Sequence, residues 1–334
     1  MVFGLVEALH SFLVQIDFEV AEGQLVALAP VALFVYNRPD HTRQVVEALA
    51  ANALAGETPL HVFSDAPRDQ AARRSVEEVR SYVRTITSFK SVTIIERATN
   101  FGLAHSIIDG VTTLCDAFDR VIVLEDDLLI SPHFLSYMND ALTRYEHADQ
   151  VMQIAGYMFP IDVDIHEDAL LLPFITSWGW ATWRRAWRHF DAGAKGYERL
   201  VEDHVLRDRF NLDGHYDYYK MLRAYREGTV DSWAIRWYLS VFMRGGLALF
   251  PKKTLVRNLG FDGSGVNCAV SKIEQSPLDM TFQVLSMPQQ IKASEAQAAL
   301  LNHMPVPTLS VASLANRLLG LFKRFSIFRY TRVS

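Results

Sequence analysis

Cysteine is scarce: only Cys115 and Cys268 occur in 334 residues, too few for a disulfide framework, and no Cys/His spacing suits zinc. A basic excess is also missing. Lys and Arg number 33 against 38 Asp and Glu, for a net charge of −5. A general nucleic-acid binder needs a basic face, so no nucleic-acid partner is expected. No apolar run reaches the length of a membrane span. The stretch Leu25 to Tyr36 is 12 residues long and contains Pro30, so it suits a buried strand instead. The first 29 residues carry no Lys or Arg, and Glu7, Asp17, Glu19 and Glu22 interrupt them, which argues against a secretory leader and for a cytoplasmic setting. Glycine signatures are absent as well. There is no GxGxxG after a strand, no GxxxxGK[ST] and no GxSxG, so a dinucleotide cofactor, a P-loop nucleotidase and a serine hydrolase elbow are not expected.

What is present is an ordinary core-forming composition, 50% hydrophobic and 21% charged. The first half alternates between apolar strands and amphipathic helices. Strands are expected at Val31–Tyr36, Leu60–Phe63, Val92–Ile95 and Val121–Leu124. Helices are expected after Asp40, over Gln70–Val83 and over Leu103–Phe118. Strands that are apolar throughout, separated by helices, predict a mostly parallel α/β sheet covered on both faces, Rossmann-like and in a single catalytic domain. The second half is rich in Trp and Tyr. Its expected elements are helices over Gly214–Arg226 and Trp233–Met243, capped by Gly228 and Gly245, and a strand at Leu247–Phe250. The division expected is an N-terminal extension over 1–28, the catalytic domain over 29–270, and a C-terminal extension over 271–334. From about Ser310 that extension mixes Leu and Phe with Lys and Arg. It reads as a basic amphipathic helix able to touch an anionic membrane surface, the domain itself or a partner.

In a parallel sheet, ligands bind beyond the carboxyl ends of the strands. The residues there are Asn37-Arg38, Ser64-Asp65, Arg97 to Asn100, and Glu125-Asp126-Asp127. Three consecutive acids after four aliphatic residues concentrate negative charge where the backbone is already held. Hard cations such as Mn²⁺ and Mg²⁺ take oxygen ligands of this kind, with substrate phosphates completing the shell.

Several segments, in order, resemble the GT-A glycosyltransferases: Phe34-Val35-Tyr36-Asn37-Arg38-Pro39, Phe63-Ser64-Asp65, Asn100-Phe101-Gly102, Val123-Leu124-Glu125-Asp126-Asp127-Leu128, Ser177 to Trp183, Val230-Asp231-Ser232-Trp233, and Asn258 to Gly265. The pattern is most similar to the N-acetylglucosaminyltransferase I type and to bacterial family-2-like sugar transferases.

This resemblance implies an inverting transferase that uses Mn²⁺ or Mg²⁺ and a UDP-sugar, UDP-N-acetylglucosamine being the first donor to test, in surface polysaccharide or glycoconjugate synthesis. The acceptor would be a glycan, a lipid-linked sugar or a protein side chain. It implies that Asp127 binds the metal and that Glu125 and Asp126 contact the donor or metal-bound water, with Asp126 alternatively orienting its neighbours. Arg38 would meet the uridine or phosphate side, or make only an ion pair. Asp65 would hold the base, or cap a helix. Asn100 would stand beside the donor, and Trp178 and Trp180 would stack on sugar faces. Asp231 would be the general base, or cap the helix that follows it, and Val230 stands where this segment often carries an aromatic. Trp183, Trp187 and Trp237 are expected in the core, and His105 and His133 in structural roles. Two rivals remain. A nucleotidyltransferase shares the sheet but usually opens with a glycine-rich loop, which Phe34 to Asp40 lacks. A non-catalytic sugar-binding protein would keep the aromatics and lose the acids.

Overall fold

A computed structural model describes residues 27–262 and 275–303 of the chain. Its strands form where β-branched and aliphatic residues run without a polar break. Strand β1 (Val31–Val35) is buried at every position, and β4 (Arg120–Glu125) at its four central ones. Side chains alternate across a strand, so burial of every residue means that both faces of the sheet are covered. Around these two lie α1 (Pro39–Ala50), β2 (Pro59–Ser64), α2 (Arg73–Val83), β3 (Ser91–Glu96) and α3 (Leu103–Phe118). Each of these helices turns its apolar stripe inward: Val45, Val46 and Leu49 from α1, Val76, Val79 and Val83 from α2, Ile107, Val111 and Leu114 from α3.

Beyond β4 come β5 (Leu128–Ile130), α4 (Phe134–Arg144), β6 (Val151–Ala155), β7 (Ala169–Leu172) and β8 (Trp180–Trp183). Four short helices follow: α5 (Arg184–Trp187), α6 (Tyr197–Glu202), α7 (His204–Phe210) and α8 (Tyr218–Arg226). Then come α9 (Trp233–Met243), β9 (Leu247–Pro251), β10 (Val256–Asn258) and, later, α10 (Gln297–His303). The main sheet has eight strands in the order β3-β2-β1-β4-β8-β6-β9-β7. β8 runs antiparallel to β4 and β6, and β7 antiparallel to β9; all other pairings are parallel. The chain is thus a mixed α/β protein with a mostly parallel sheet flanked by helices. β5 and β10 form a small antiparallel pair beside it.

Beyond β4, the strands β5, β6, β7, β8 and β10 are additional to the single late strand read from sequence, and α8 begins at Tyr218 rather than at Gly214. Leu212, Asp213 and Gly214 have positive φ (52°, 54° and 88°), a tight turn that ends before the Asp217 side chain caps the Lys220 N–H at 3.0 Å. The two glycine caps stand as expected, with φ of 71° at Gly228 and 61° at Gly245. Residues 275–303, placed by sequence in the C-terminal extension, pack on the β7 edge. The Asp168 carboxylate accepts from the Leu285 and Ser286 N–H groups at 3.0 and 2.9 Å, and Ser294 N–H donates to the Leu171 carbonyl at 2.8 Å. Leu300 and Leu301 are buried in the core. The basic amphipathic segment from Ser310 onward lies outside the described residues. Among the described residues no helix is long and apolar enough to cross a membrane.

Candidate active site at the carboxyl ends of β1 and β4

The strand order reverses between β1 and β4. From β1 the chain steps outward to β2 and β3, then returns to the other side of β1 with β4. At such a switch point the two following loops part and leave a crevice beyond the carboxyl edge of the sheet. Arg38 follows β1 and Glu125-Asp126-Asp127 ends β4, and the register Phe34↔Glu125 sets them opposite each other.

They meet directly. Arg38 Nη2 donates to Asp126 Oδ1, and Arg38 Nη1 lies 3.0 Å from Asp127 Oδ2. Tyr36 N–H adds a long bond of 3.4 Å to Asp126 Oδ2. Asp126 and Asp127 are 3% and 7% exposed, so the cluster is buried at the carboxyl edge of the sheet rather than set out on the surface. Burial pulls the Arg38 pKa down, but Asp126 and Asp127 more than offset that and hold the guanidinium charged. Burial, opposed by Arg38, raises the Asp126 pKa. Burial, then Asp127 and Asp126, push Glu125 up to about 8. Asp126 and Asp127 facing one arginine leave an excess of negative charge in a partly dry place, and Glu125 adds to it only above its raised pKa. That excess, presented entirely by carboxylate oxygens, suits a hard divalent cation.

The segment after β10 closes one side. Leu259 N–H donates to the Asp127 carbonyl at 2.7 Å, and Gly260 N–H to Asn258 Oδ1 at 2.7 Å. A Cβ at Gly260 would stand 2.2 Å from Asp127 Oδ2, so only glycine lets this backbone come so near the carboxylate. Asp262, one turn on, pairs with His41 Nε2 at 3.3 Å. This lid-like wall was not legible in the sequence beyond the bare N-x-G pattern.

Asp65 and Asn100 form a second group beside the first. Asp65 Oδ1 accepts from the Ala66 and Phe101 N–H groups (2.8 Å each); Oδ2 accepts from Gly102 N–H (2.9 Å) and from Asn100 Nδ2 (3.0 Å). Asn100 Nδ2 also donates to the Ala66 carbonyl at 2.7 Å. The carboxylate therefore ties the loop after β2 to the start of α3. It does not cap α2, which starts at Arg73, eight positions on.

Two expected residues are placed differently. Trp180 is 0% exposed, its ring stacked 5.0 Å from Trp233 and tilted against Trp187 at 5.8 Å. It is a core residue with no face open to a sugar, because β8 lies between β4 and β6 in the middle of the sheet. Trp178 keeps partial exposure. It packs edge-on against Tyr157 at 4.5 Å and Phe261 at 5.5 Å, and Phe261 adjoins Gly260 at the acid cluster. Trp183, Trp187 and Trp237 are buried, as read from sequence.

Asp231 has a side chain 71% exposed and bonded to Arg236 Nη2 at 2.8 Å. The cap of α9 is Ser232, not Asp231. Two residues on, Trp233 stacks on Trp180, which pairs with Val123 of β4. Among the described residues no hydrogen bond or ion pair links Asp231 to the Arg38 cluster. Arg236, which sequence reading missed, is itself buried. Its Nε donates to the Ser232 carbonyl at 3.0 Å, and its guanidinium lies 4.6 Å from the Tyr225 ring centre. Its only sequence signal was a charge inside an otherwise apolar helix.

No protein-family profile matches the chain, and no curated protein sequence matches it. Solved structures do. A mannosyltransferase from Pyrobaculum calidifontis, in complex with GDP-mannose and Mn²⁺, is 15% identical with a TM-score of 0.35, over 47% of this chain and 45% of that one. TarS from S. aureus is 14% identical with a TM-score of 0.32, over 48% and 30%. Its 1–349 fragment with UDP is 15% identical with a TM-score of 0.31, over 47% of each chain. The chain thus matches less than half the length of each. Overlap this low decides no activity, and the site has to be judged on its own geometry.

Proposed function

We propose that this chain is a nucleotide-sugar-dependent glycosyltransferase of GT-A type. The observation that carries the reading is the position of the Glu125-Asp126-Asp127 run, at the carboxyl end of β4 beside the β1/β4 switch point, with Arg38 bonded across it. The proteins with partial structural likeness bind GDP-mannose with Mn²⁺ and UDP, which agrees with this reading without establishing it.

In this reading Asp127 holds Mn²⁺ or Mg²⁺, with Glu125 and Asp126 beside it. When bound, such a cation offsets the charge of a diphosphate leaving group. Arg38 supplies a planar fork for phosphate oxygens. Asp65 already uses two donors on each oxygen, so its proposed part is to fix Asn100 to Gly102 beside the donor rather than to hold the base directly. Trp178, one of the two tryptophans expected to stack on a sugar, forms with Tyr157 and Phe261 an aromatic wall suited to a sugar's C–H face, without Trp180. Asp231 takes the acceptor proton as the glycosidic bond forms, in an inverting displacement, and Arg236 orients its carboxylate. A UDP-sugar, with N-acetylglucosamine first, remains the proposed donor. The acceptor class, a role in surface polysaccharide synthesis and contact of the C-terminal segment with the inner membrane face are proposals of the same standing, as is the 29–270 domain boundary.

The test is a calorimetric screen of UDP-, GDP-, CMP- and dTDP-sugars, with Mn²⁺ and with EDTA. One donor should bind only with metal, lose binding in Asp127→Ala, and release nucleoside diphosphate on turnover. Formation of nucleoside triphosphate and sugar 1-phosphate from the nucleotide sugar when pyrophosphate is added would make the protein a nucleotidyltransferase. Binding of no donor, alone or with candidate acceptors, would refute the transferase reading.

A further inference from the structure

The residues that would hold a cation are already engaged by a cation of the protein's own. Arg38 spans Asp126 and Asp127, one carboxylate on each Nη nitrogen. Its side chain is 17% exposed, against 5% and 10% for the two acids, so solvent screens the contact poorly. The backbone under it is fixed: Arg38 precedes Pro39 at the start of α1, and its carbonyl accepts from Thr42 N–H at 3.0 Å and Thr42 Oγ1 at 2.9 Å. Only the side chain is left to move. A guanidinium fork fits carboxylate and phosphate oxygens equally well, so it can exchange one for the other without a change of geometry.

We propose that Arg38 is a built-in counter-ion that competes with a divalent cation for Asp126 and Asp127, and that it passes to the diphosphate of the nucleotide when the cation takes those oxygens. This rests on the transferase reading above. The physical reason is that a dication and a guanidinium repel each other, so each weakens the other's hold on the same two carboxylates. Cation binding is therefore linked to release of Arg38, and the released charge favours the anionic ligand. Linkage is reciprocal, so the nucleotide must in turn tighten the cation. The site would stay compact and partly neutralised while empty, and would fill with metal and nucleotide together.

The experiment measures Mn²⁺ binding by calorimetry and by the loss of free-Mn²⁺ electron paramagnetic resonance signal, on the full chain. The variants are Arg38→Met, Arg38→Lys and Asp127→Asn. Without nucleotide, Arg38→Met should bind Mn²⁺ at least about tenfold more tightly than wild type, because a competing charge is gone. In saturating Mn²⁺ it should bind UDP and GDP at least about tenfold more weakly. The two changes have opposite signs, which damage to the fold would not produce. If Arg38→Met does not fold, Arg38→Lys carries the same test with smaller factors, about threefold each way, since one point charge cannot span both acids. Wild type that binds Mn²⁺ through Asp127, with Arg38 variants that bind it no more tightly, would overturn the competition. Tighter Mn²⁺ with unchanged nucleotide affinity would overturn the hand-over. Wild type and all variants binding no Mn²⁺ would instead remove the metal-dependent reading itself, and this proposal with it.

Discussion

Substituting Gly260 with alanine probes the site at its tightest point. The added Cβ would stand 2.2 Å from Asp127 Oδ2, 3.1 Å from Asp127 Cγ and 3.1 Å from Asn258 Oδ1. The backbone of Gly260 cannot retreat freely, because its N–H is bonded to Asn258 and the preceding Leu259 N–H to the Asp127 carbonyl. The Asp127 carboxylate must therefore turn by roughly 1 Å, out of contact with Arg38 and away from a ligand-holding position, and a displacement of that size can cost about 100-fold in function. Overpacking of a buried site costs about 1–3 kcal/mol. For a domain of this size each kcal/mol lowers Tm by about 2–4 °C. The expected result is a Tm lower by about 2–12 °C, together with Mn²⁺-dependent nucleotide binding weaker by about 10- to 100-fold. Gly56→Ala is the control. Nothing lies within 4 Å of a Cβ there, and surface changes of this kind stay within about 0.5 kcal/mol. Thermal melts and calorimetry on the two variants decide the matter. A Gly260→Ala protein with wild-type Tm and wild-type nucleotide affinity would refute the close approach of β10 to the acid cluster.

Asp65→Asn sets an amide nitrogen against some of four N–H donors; urea titration should show a loss of about 1–3 kcal/mol, and a wild-type midpoint would show the loop is not held by this carboxylate. Arg236→Met should lower kcat with little change in donor KM, with partial recovery in Arg236→Lys; an unchanged kcat would remove Arg236 from the orienting role. Trp180→Phe should leave donor affinity unchanged, because the ring is enclosed by Trp233 and Trp187, whereas Trp178→Ala should weaken sugar-donor binding; the reverse order would return the stacking role to Trp180. Burial lowers the His61 pKa, so at low pH the unfolded chain takes up the proton first. Its contribution is intact above about pH 6.5 and is lost as pH falls through the folded value, with a slope of at most about 1.4 kcal/mol per pH unit. His61→Gln should flatten that slope in urea titrations between pH 7 and 5.

The first half of this protein was legible because its elements are local. Val31–Val35 and Val121–Leu124 have no polar break, so they can only be strands buried on both faces, and α3 carries its stripe at helical spacing. The position of three acids at the end of β4 follows from those patterns alone. The second half was not legible in the same way. β6, β7 and β8 are four or five residues each, too short for a period to show, and β8 exists because it completes the sheet between β4 and β6. Residue type announced Trp180 as a sugar platform, but sheet order made it core. The motif offered Arg38 as a ligand contact or an ion pair; only tertiary folding named Asp126 and Asp127 as its partners. Spacing along the chain says which chemistry a protein carries, since side-chain identity and periodicity are local properties. Which charges face one another, and which ring keeps an open face, depends on pairings between residues far apart in the chain, such as Arg38 with Asp126 and Asp127 with Gly260, and only packing decides those.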